Sequence, residues 1–254
     1  MNLWDTHCHL YEEYYPSILE EIQEAKSVGV TNFIVSGCDS KSNQEVLTII
    51  SAFSSCFGVI GIHPEEVERY TIQDLDFLSV HCLDERIIGI GEIGLDYHYS
   101  NENKEQQKKL FRKQLEYAEK YQLPVVVHSR EATQDTIDLL KDYNVKGIIH
   151  SFSGSLEVAT IYIKMGFKLG INGVVTFKNS KLKEILPMIK NHIVLETDSP
   201  FLTPHPYRGT KNSPKYIRNI AEFIAQELQI SITELEEITN SNIRSIFDKM
   251  NELC

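Results

Sequence analysis

Eight short apolar runs recur along the chain and alternate with longer amphipathic stretches. The runs are rich in Val, Ile and Leu and are bounded by polar or turn-forming residues, which is typical of buried strands. They lie at 2–8, 32–37, 57–63, 87–94, 123–129, 145–151, 167–173 and 192–198. Eight strands alternating with helices over 254 residues predict an α/β fold, a (β/α)8 barrel, formed as one domain over residues 1–254.

Several intervening stretches carry signals that mark the start of a helix. Ser17 is a candidate N-cap, and Thr71 followed three residues later by Asp74 resembles a capping box. The last helix is predicted to start at Ser231. The stretch 104–122 has one apolar face, made of Leu110, Phe111, Leu115 and Ala118.

The main competing fold is a doubly wound open sheet. Such sheets usually carry a glycine-rich phosphate-binding turn after the first strand. This chain has His7 and His9 at that position instead, so we favour the barrel.

Composition limits the partners and the compartment. A formal net charge of -11 argues against a broad electropositive surface for duplex DNA, so any nucleic-acid contact is expected to be local. Five cysteines without a CxxC pair favour free thiols in a reducing cytoplasm. We also expect neither a signal peptide nor a membrane span.

Six of the eight predicted strands deliver a histidine or a carboxylate at their carboxyl ends. In a (β/α)8 barrel these ends form the rim on which reacting groups lie. We therefore expect these side chains to converge at one mouth. They are His7 and His9, His63, Glu92, His128, His150 and Asp198.

This set of side chains has the chemistry of a metal centre. His7 and His9 are two apart on a strand, so they share a face and can hold one cation, with Asp198 completing that site. His128 and His150 could hold a second cation, and Glu92 could bridge the two. Neutral imidazoles suit zinc, nickel, manganese or iron.

Metal-assisted hydrolysis follows from such a centre. A cation lowers the pKa of bound water to about 7, and Asp198 could orient the hydroxide or take its proton. Four neutral histidines, two carboxylates, two divalent cations and one hydroxide give a net charge of about +1. The filled site would attract an anionic substrate such as a phosphodiester.

Each of several other residues near the predicted rim could have either a functional or a structural role. His63 could contact the phosphate or the leaving group, or be a rim histidine held by hydrogen bonds, and Arg130 could bind phosphate or pair with an acid. Asp5 and Glu196 could orient a ligand or be buried structural carboxylates. The loop residues 96–98 could contact a base or simply pack.

The segments DTHCHL, GIHPEE, GEIGLDYHYS, LPVVVHSREA, HSFSGS and ETDSPFLTP together resemble the signature blocks of TatD-type metal-dependent deoxyribonucleases. The resemblance spans Asp5 to about Pro214. It implies an amidohydrolase-type TIM barrel that uses one or two divalent cations. Activity with magnesium or manganese is implied, and the His-rich site could retain zinc or nickel. The implied metal ligands are His7, His9, Glu92, His128, His150 and Asp198.

The resemblance also implies cleavage of DNA phosphodiester bonds, as a 3′–5′ exonuclease on single-stranded ends. We expect a monomer without a stable protein partner. Two other functions stay open: a related barrel hydrolase of amides, lactones or phosphotriesters, and a non-catalytic binding barrel. Many of those hydrolases bridge their metals with a carboxylated lysine from strand four, where this chain has Glu92 and, farther on, Lys104.

Overall fold

The computed structural model describes residues 1–100 and 102–253, in which eight strands alternate with helices. The strands are β1 (Leu3–Cys8), β2 (Val30–Ser36), β3 (Cys56–Ile60), β4 (Ile87–Asp96), β5 (Val125–Arg130), β6 (Gly147–Ile149), β7 (Lys168–Ile171) and β8 (Ile193–Leu195). The helices are α1 (Ile18–Ser27), α2 (Ser40–Ala52), α3 (Ile72–His81), α4 (Lys104–Tyr121), α5 (Thr133–Leu140), α6 (Leu156–Lys164), α7 (Leu182–Ile189), α8 (Ile217–Leu228), α9 (Ile232–Ile246) and α10 (Asp248–Leu253). Every predicted strand overlaps an observed one.

Contacts within the chain divide it into two compact units. The first unit comprises Met1–Val35, Ser151–Ile163 and Lys168–Ser245. The second is built mainly from Ser36–His150. The single domain expected over residues 1–254 stays a prediction.

The first unit contains two parallel strand pairs. β1 pairs with β2, with Asp5 opposite Phe33, and β7 pairs with β8, with Gly170 opposite Val194. All six residues of β1 are buried, including His7. The strand that carries the first predicted ligand is therefore a core element.

The second unit contains the parallel ladder from β3 through β4 and β5 to β6. All ten residues of β4 are buried, so Glu92 lies in the interior of this unit. Helix α4 buries the apolar face that its sequence predicts, together with two glutamines. The buried residues of α4 are Gln107, Leu110, Phe111, Gln114, Leu115 and Ala118.

The predicted helix starts are confirmed by their hydrogen bonds. The Ser17 hydroxyl accepts the Glu20 N–H at 3.2 Å, and the Thr71 N–H donates to the Asp74 carboxylate at 2.7 Å. The Ser231 hydroxyl accepts a backbone N–H at 3.0 Å at the start of α9. Helix α9 is not the last, however, because α10 follows it.

Two strands that precede proposed site residues each end three residues earlier than the sequence pattern predicts. β3 ends at Ile60 and β8 at Leu195, so His63 and Asp198 each follow their strand by three residues. Beyond β3, the backbone of Ile62 bonds to a side chain instead of a neighbouring strand: its N–H donates to Gln114 Oε1 at 2.7 Å. The strand stops because its backbone partners change.

Buried amide side chains form paired hydrogen bonds with the backbone near strand ends at three places in the second unit. Gln114 also donates to the Ile62 carbonyl at 3.0 Å, so both polar groups of that residue are satisfied. Asn43 forms the same pair of bonds with Gly61, and Gln107 forms it with Asp96. These amides replace the inter-strand hydrogen bonds that the backbone loses where it leaves the sheet.

Two further expectations concern membranes and thiols. No helix in the described part of the chain is both long and apolar enough to cross a membrane. Among the cysteines that the structure describes, Cys8, Cys38, Cys56 and Cys82 form no disulfide. Cys254 lies outside the described residues.

We expect Gln114→Leu to destabilise the protein because it removes both partners of the buried Ile62 backbone groups. An unsatisfied buried polar group costs about 1–3 kcal/mol, so thermal denaturation should begin several degrees lower. Gln106→Leu, on the exposed side of the same helix, is the matched control. Equal melting temperatures for the two variants would contradict this role.

Candidate metal centre

The first unit brings together three of the six predicted ligands. Nε2 of His7 lies 3.2 Å from Nε2 of His9, and the Asp198 carboxylate lies 3.7 Å and 3.4 Å from these two atoms. Each residue offers a ligand atom within 4.8 Å of the others. We call His7, His9 and Asp198 the first cluster.

A buried carboxylate holds the first cluster in place. Asp5 accepts the Thr197 N–H at 2.9 Å and the Thr197 hydroxyl at 2.5 Å, and its Oδ1 also accepts the His7 N–H at 3.3 Å. Burial raises the pKa of Asp5 well above its usual value, although the Thr197 hydrogen bonds oppose this. Asp5 thereby joins the strand of His7 to the segment of Asp198.

Backbone bonds complete this connection. The Asp198 N–H donates to the His7 carbonyl at 3.0 Å, and the His9 N–H donates to the Ser199 carbonyl at 2.8 Å. Asp198 has a positive φ of 56°, a conformation that few non-glycine residues adopt. That turn places its carboxylate beside the two imidazoles.

The second unit brings together the other three predicted ligands around Glu92. Its Oε1 atom lies 2.9 Å from His128 Nδ1 and 3.8 Å from His150 Nε2. His63 Nε2 is also 3.6 Å from Glu92 Oε1, and it joins Glu92 and His128 in a group that could hold a metal ion. We call Glu92, His128 and His150 the second cluster.

Asp96 fixes the imidazole of His128. His128 Nε2 lies 2.9 Å from the Asp96 carboxylate, which leaves Nδ1 on the side of Glu92. Gln107 in turn holds the backbone of Asp96 through two hydrogen bonds. A carboxylate on the second nitrogen of a histidine is the arrangement that orients metal-binding histidines in many proteins.

The sequence pattern places residue 96 in a loop and gives no role to Gln107. Asp96 is instead the last residue of β4, and its carboxylate lies on the His128 ring. Gln107 shares the buried face of α4 with Leu110 and Phe111, so an amide within an apolar stripe was the available signal. Tyr11 was missed as well: its hydroxyl lies 3.2 Å from His9 Nδ1.

The structure also locates the residues with two sequence readings. Arg130 ends β5, and its guanidinium donates to the Tyr99 hydroxyl at 3.3 Å. Glu196 is fully buried and accepts the Ser151 N–H at 2.7 Å. His98 and Tyr97 each contact a carboxylate of the second unit, at 2.6 Å and 2.8 Å.

A cavity of about 330 Å³ lies in the second unit beside Asp96. Its lining is polar and carries both signs of charge. It is lined by Glu65, Arg69, Asp96, Tyr99, Ser100, Asn103 and Gln107. The partner of His128 therefore borders open space.

Comparisons with known proteins find similarity along nearly the whole chain. The family model described as TatD related DNase matches residues 4–248. An uncharacterized metal-dependent hydrolase of Bacillus subtilis, YabD, is 40% identical over 251 residues, covering 96% of this chain and 98% of that protein. The human deoxyribonuclease TATDN3 is 31% identical and covers 100% of this chain and 97% of its own length.

Solved structures agree with the fold. The crystal structure of YjjV, a TatD homologue from Escherichia coli, superposes with a TM-score of 0.90 at 26% identity and covers 97% of this chain and 98% of its own. An organophosphorus hydrolase from Deinococcus radiodurans shares the fold, with a TM-score of 0.66 at 12% identity over 96% of this chain and 92% of its own. The predicted (β/α)8 TIM barrel is confirmed.

The surroundings of His128 predict a pH dependence for the metal-free protein. Burial lowers the pKa of His128, but its hydrogen bonds to Asp96 and Glu92 outweigh burial and raise the pKa to about 9. A raised pKa contributes stability that is complete below the unfolded-state value of about 6.5 and is lost as pH rises through about 9. We expect metal-free protein to melt at a lower temperature at pH 9.5 than at pH 6.5.

His128→Gln should reduce this difference, because the titrating group is gone. His205→Gln, at an exposed histidine, is the control and should keep the wild-type difference. A His128→Gln variant with the full wild-type pH dependence would assign the effect to another group.

Proposed function

Because the chain belongs to the TatD family of metal-dependent hydrolases that act on ester bonds, we propose that it hydrolyses DNA phosphodiester bonds at single-stranded 3′ ends. The observation that carries the proposal is the pair of histidine–carboxylate clusters. We further propose that it acts in the cytoplasm, as a monomer, on DNA as its only macromolecular partner.

The donor set of the first cluster fits a divalent cation. Two Nε2 atoms 3.2 Å apart cannot both carry a hydrogen directed at the other, so at least one lone pair points into the gap. A cation accepts lone pairs from both His7 and His9, and Asp198 adds a negative charge. Imidazole with carboxylate suits zinc, manganese, nickel or iron, and magnesium favours the carboxylate oxygens.

The second cluster fits a second cation. Glu92 Oε1 and His128 Nδ1 are 2.9 Å apart, and His150 Nε2 lies 3.8 Å from the same oxygen. Asp96 holds the far nitrogen of His128 and so directs Nδ1 towards the position beside Glu92. The bridging role of Glu92 between two cations stays a prediction.

Bound divalent cations would supply hydroxide at neutral pH and stabilise the charge that develops on the phosphoryl group. The side chains of the protein would have three further roles in the reaction. Asp198 orients the attacking water and takes its proton, while the bond between phosphorus and the 3′ oxygen breaks. His63 donates a hydrogen bond or a proton to the leaving oxygen, and Arg130 binds a phosphate oxygen.

The surroundings of Lys104 weigh against a related hydrolase with a carboxylated lysine. Lys104 begins α4, and its Nζ lies 4.3 Å from the centre of the Tyr97 ring. Lys104 therefore contacts Tyr97 and not Glu92 Oε1, which lies near the histidines of the second unit. The carboxylate that the sequence supplies on strand four is Glu92.

The direct test is metal-dependent release of nucleotides from a labelled single strand. We expect Asp198→Asn to lower kcat/KM by about 100-fold or more, since general-base catalysis contributes about 10²–10⁴-fold. Asp138→Asn, at a surface carboxylate that pairs with Lys141, is the control and should keep full activity.

Three outcomes would overturn the proposal. Nucleotide release that Asp198→Asn leaves unchanged would refute the mechanism. Turnover of a lactone without nucleotide release would favour the related hydrolase. Binding of the strand without any cleavage, with either magnesium or manganese, would favour a non-catalytic barrel.

Asp96 should control the cation affinity of the second cluster. We expect Asp96→Ala to weaken binding of one of two manganese ions by about 10–100-fold, because loss of such an outer hydrogen-bond partner has effects of that size. Competition with a chromophoric chelator measures the affinity. Asp84→Ala removes an exposed carboxylate from the half-buried His81 instead and should change nothing. Unchanged binding in Asp96→Ala would refute the role of Asp96.

A further inference from the structure

Three aromatic rings form a connected group beside His9 in the first unit. The Phe201 ring centre is 6.2 Å from that of His9 and 5.9 Å from that of Tyr14. Tyr11 links the group from the other side, 5.5 Å from His9 and 5.8 Å from Tyr14. We call Tyr11, Tyr14 and Phe201 the aromatic shelf.

The three rings of the shelf differ in their exposure to solvent. Phe201 is 50% exposed, Tyr14 is half-buried and Tyr11 is 5% exposed. A large apolar side chain with half of its surface in water stands beside a polar cluster. It therefore offers a flat face to whatever binds at the first cluster.

The backbone of Phe201 is nevertheless fixed. Its N–H donates to the Asp198 carbonyl at 2.8 Å, and its own carbonyl accepts a hydrogen bond from the buried Asn212 side chain. A ring whose main chain is held on both sides loses little conformational entropy when it binds a partner. Phe201 is thus preorganised relative to Asp198.

The charges around the shelf select the kind of partner. Glu12 and Glu13 are exposed on the turn between Tyr11 and Tyr14, and Lys211 Nζ donates to the Tyr14 carbonyl. The two carboxylates outnumber the one ammonium group, so a phosphate at the shelf would meet a net like charge. A flat group without charge meets no such repulsion. An unpaired nucleobase has these properties and stacks on aromatic side chains whatever its identity.

We infer that Phe201, backed by Tyr14, stacks on the unpaired base of the nucleotide whose phosphate lies at the first cluster. The inference rests on the proposed function and names the residues that recognise its substrate. A base in the interior of a duplex is covered on both faces by its neighbours, so the ring can stack only on a base at an end or in a single strand. Stacking on a ring face also makes recognition independent of base sequence.

The first experiment compares two single strands, one with a normal terminal nucleotide and one whose terminal residue lacks its base. Phe201→Ala should lower kcat/KM on the normal strand by about tenfold or more, in line with the strength of base stacking. On the abasic strand it should have little effect, and Phe201→Trp should restore activity on the normal strand. Tyr207→Ala, at an aromatic residue that is 40% exposed and stacks on Tyr216, should match wild type on both strands.

An equal loss on the two strands would overturn the inference, because the ring would then serve only to support His9. The affinity for manganese separates these cases: it should be unchanged in Phe201→Ala if the ring contacts the base. If the ring only supports His9, Phe201→Ala should lower the affinity for manganese and should reduce activity equally on both strands.

The second experiment needs no cleavage and separates this inference from the proposed function. The manganese-loaded protein is titrated with a strand that ends in 2-aminopurine behind an uncharged methylphosphonate linkage. Stacking should quench the 2-aminopurine fluorescence in wild type and in Tyr207→Ala but not in Phe201→Ala. Quenching without nuclease activity on normal strands refutes the function alone. Nuclease activity with quenching that Phe201→Ala leaves intact refutes the inference alone.

Discussion

Side chains that bond to the backbone just beyond the strands determine how this protein holds its reactive groups. A chain that leaves a parallel sheet loses its ladder partners, and buried peptide groups must find others. In the second unit Gln114 and Gln107 supply them, and in the first unit Asp5 does so for Thr197. His63, Asp96 and Asp198, which lie beyond a strand or at its last residue, are therefore held in place by these bonds.

The same arrangement buries carboxylates, and a buried negative charge is stable only when a positive charge or hydrogen-bond donors compensate it. Glu92 and Asp96 are buried carboxylates that share one imidazole, and the proton that His128 takes in the metal-free protein partly neutralises them. A divalent cation at the second cluster would replace that proton with a larger positive charge. Cation binding and protonation of His128 are thus competing ways to stabilise one acidic pocket.

Much of this could be predicted from the sequence, and the exceptions share one cause. Hydrophobic runs locate all eight strands, and their carboxyl ends place the six proposed ligands in two groups of three. The strand ends at His63 and Asp198 were placed too late because their backbone partners come from residues remote in sequence. No local pattern reports a bond between positions 5 and 197. A polar residue in an apolar helix stripe, as at Gln107, is the one local sign of such bonds.

The link between Asp5 and Thr197 spans 192 residues, and it sets when the first cluster can exist. A ribosome releases His7 and His9 early, long before the carboxylate that completes their set. A nascent chain shorter than 197 residues lacks both Asp198 and Thr197, the partner of Asp5, whatever else of it has folded. The first cluster therefore assembles only after residue 198 has been synthesised, so a nascent chain that stops before Asp198 cannot bring this carboxylate to His7 and His9.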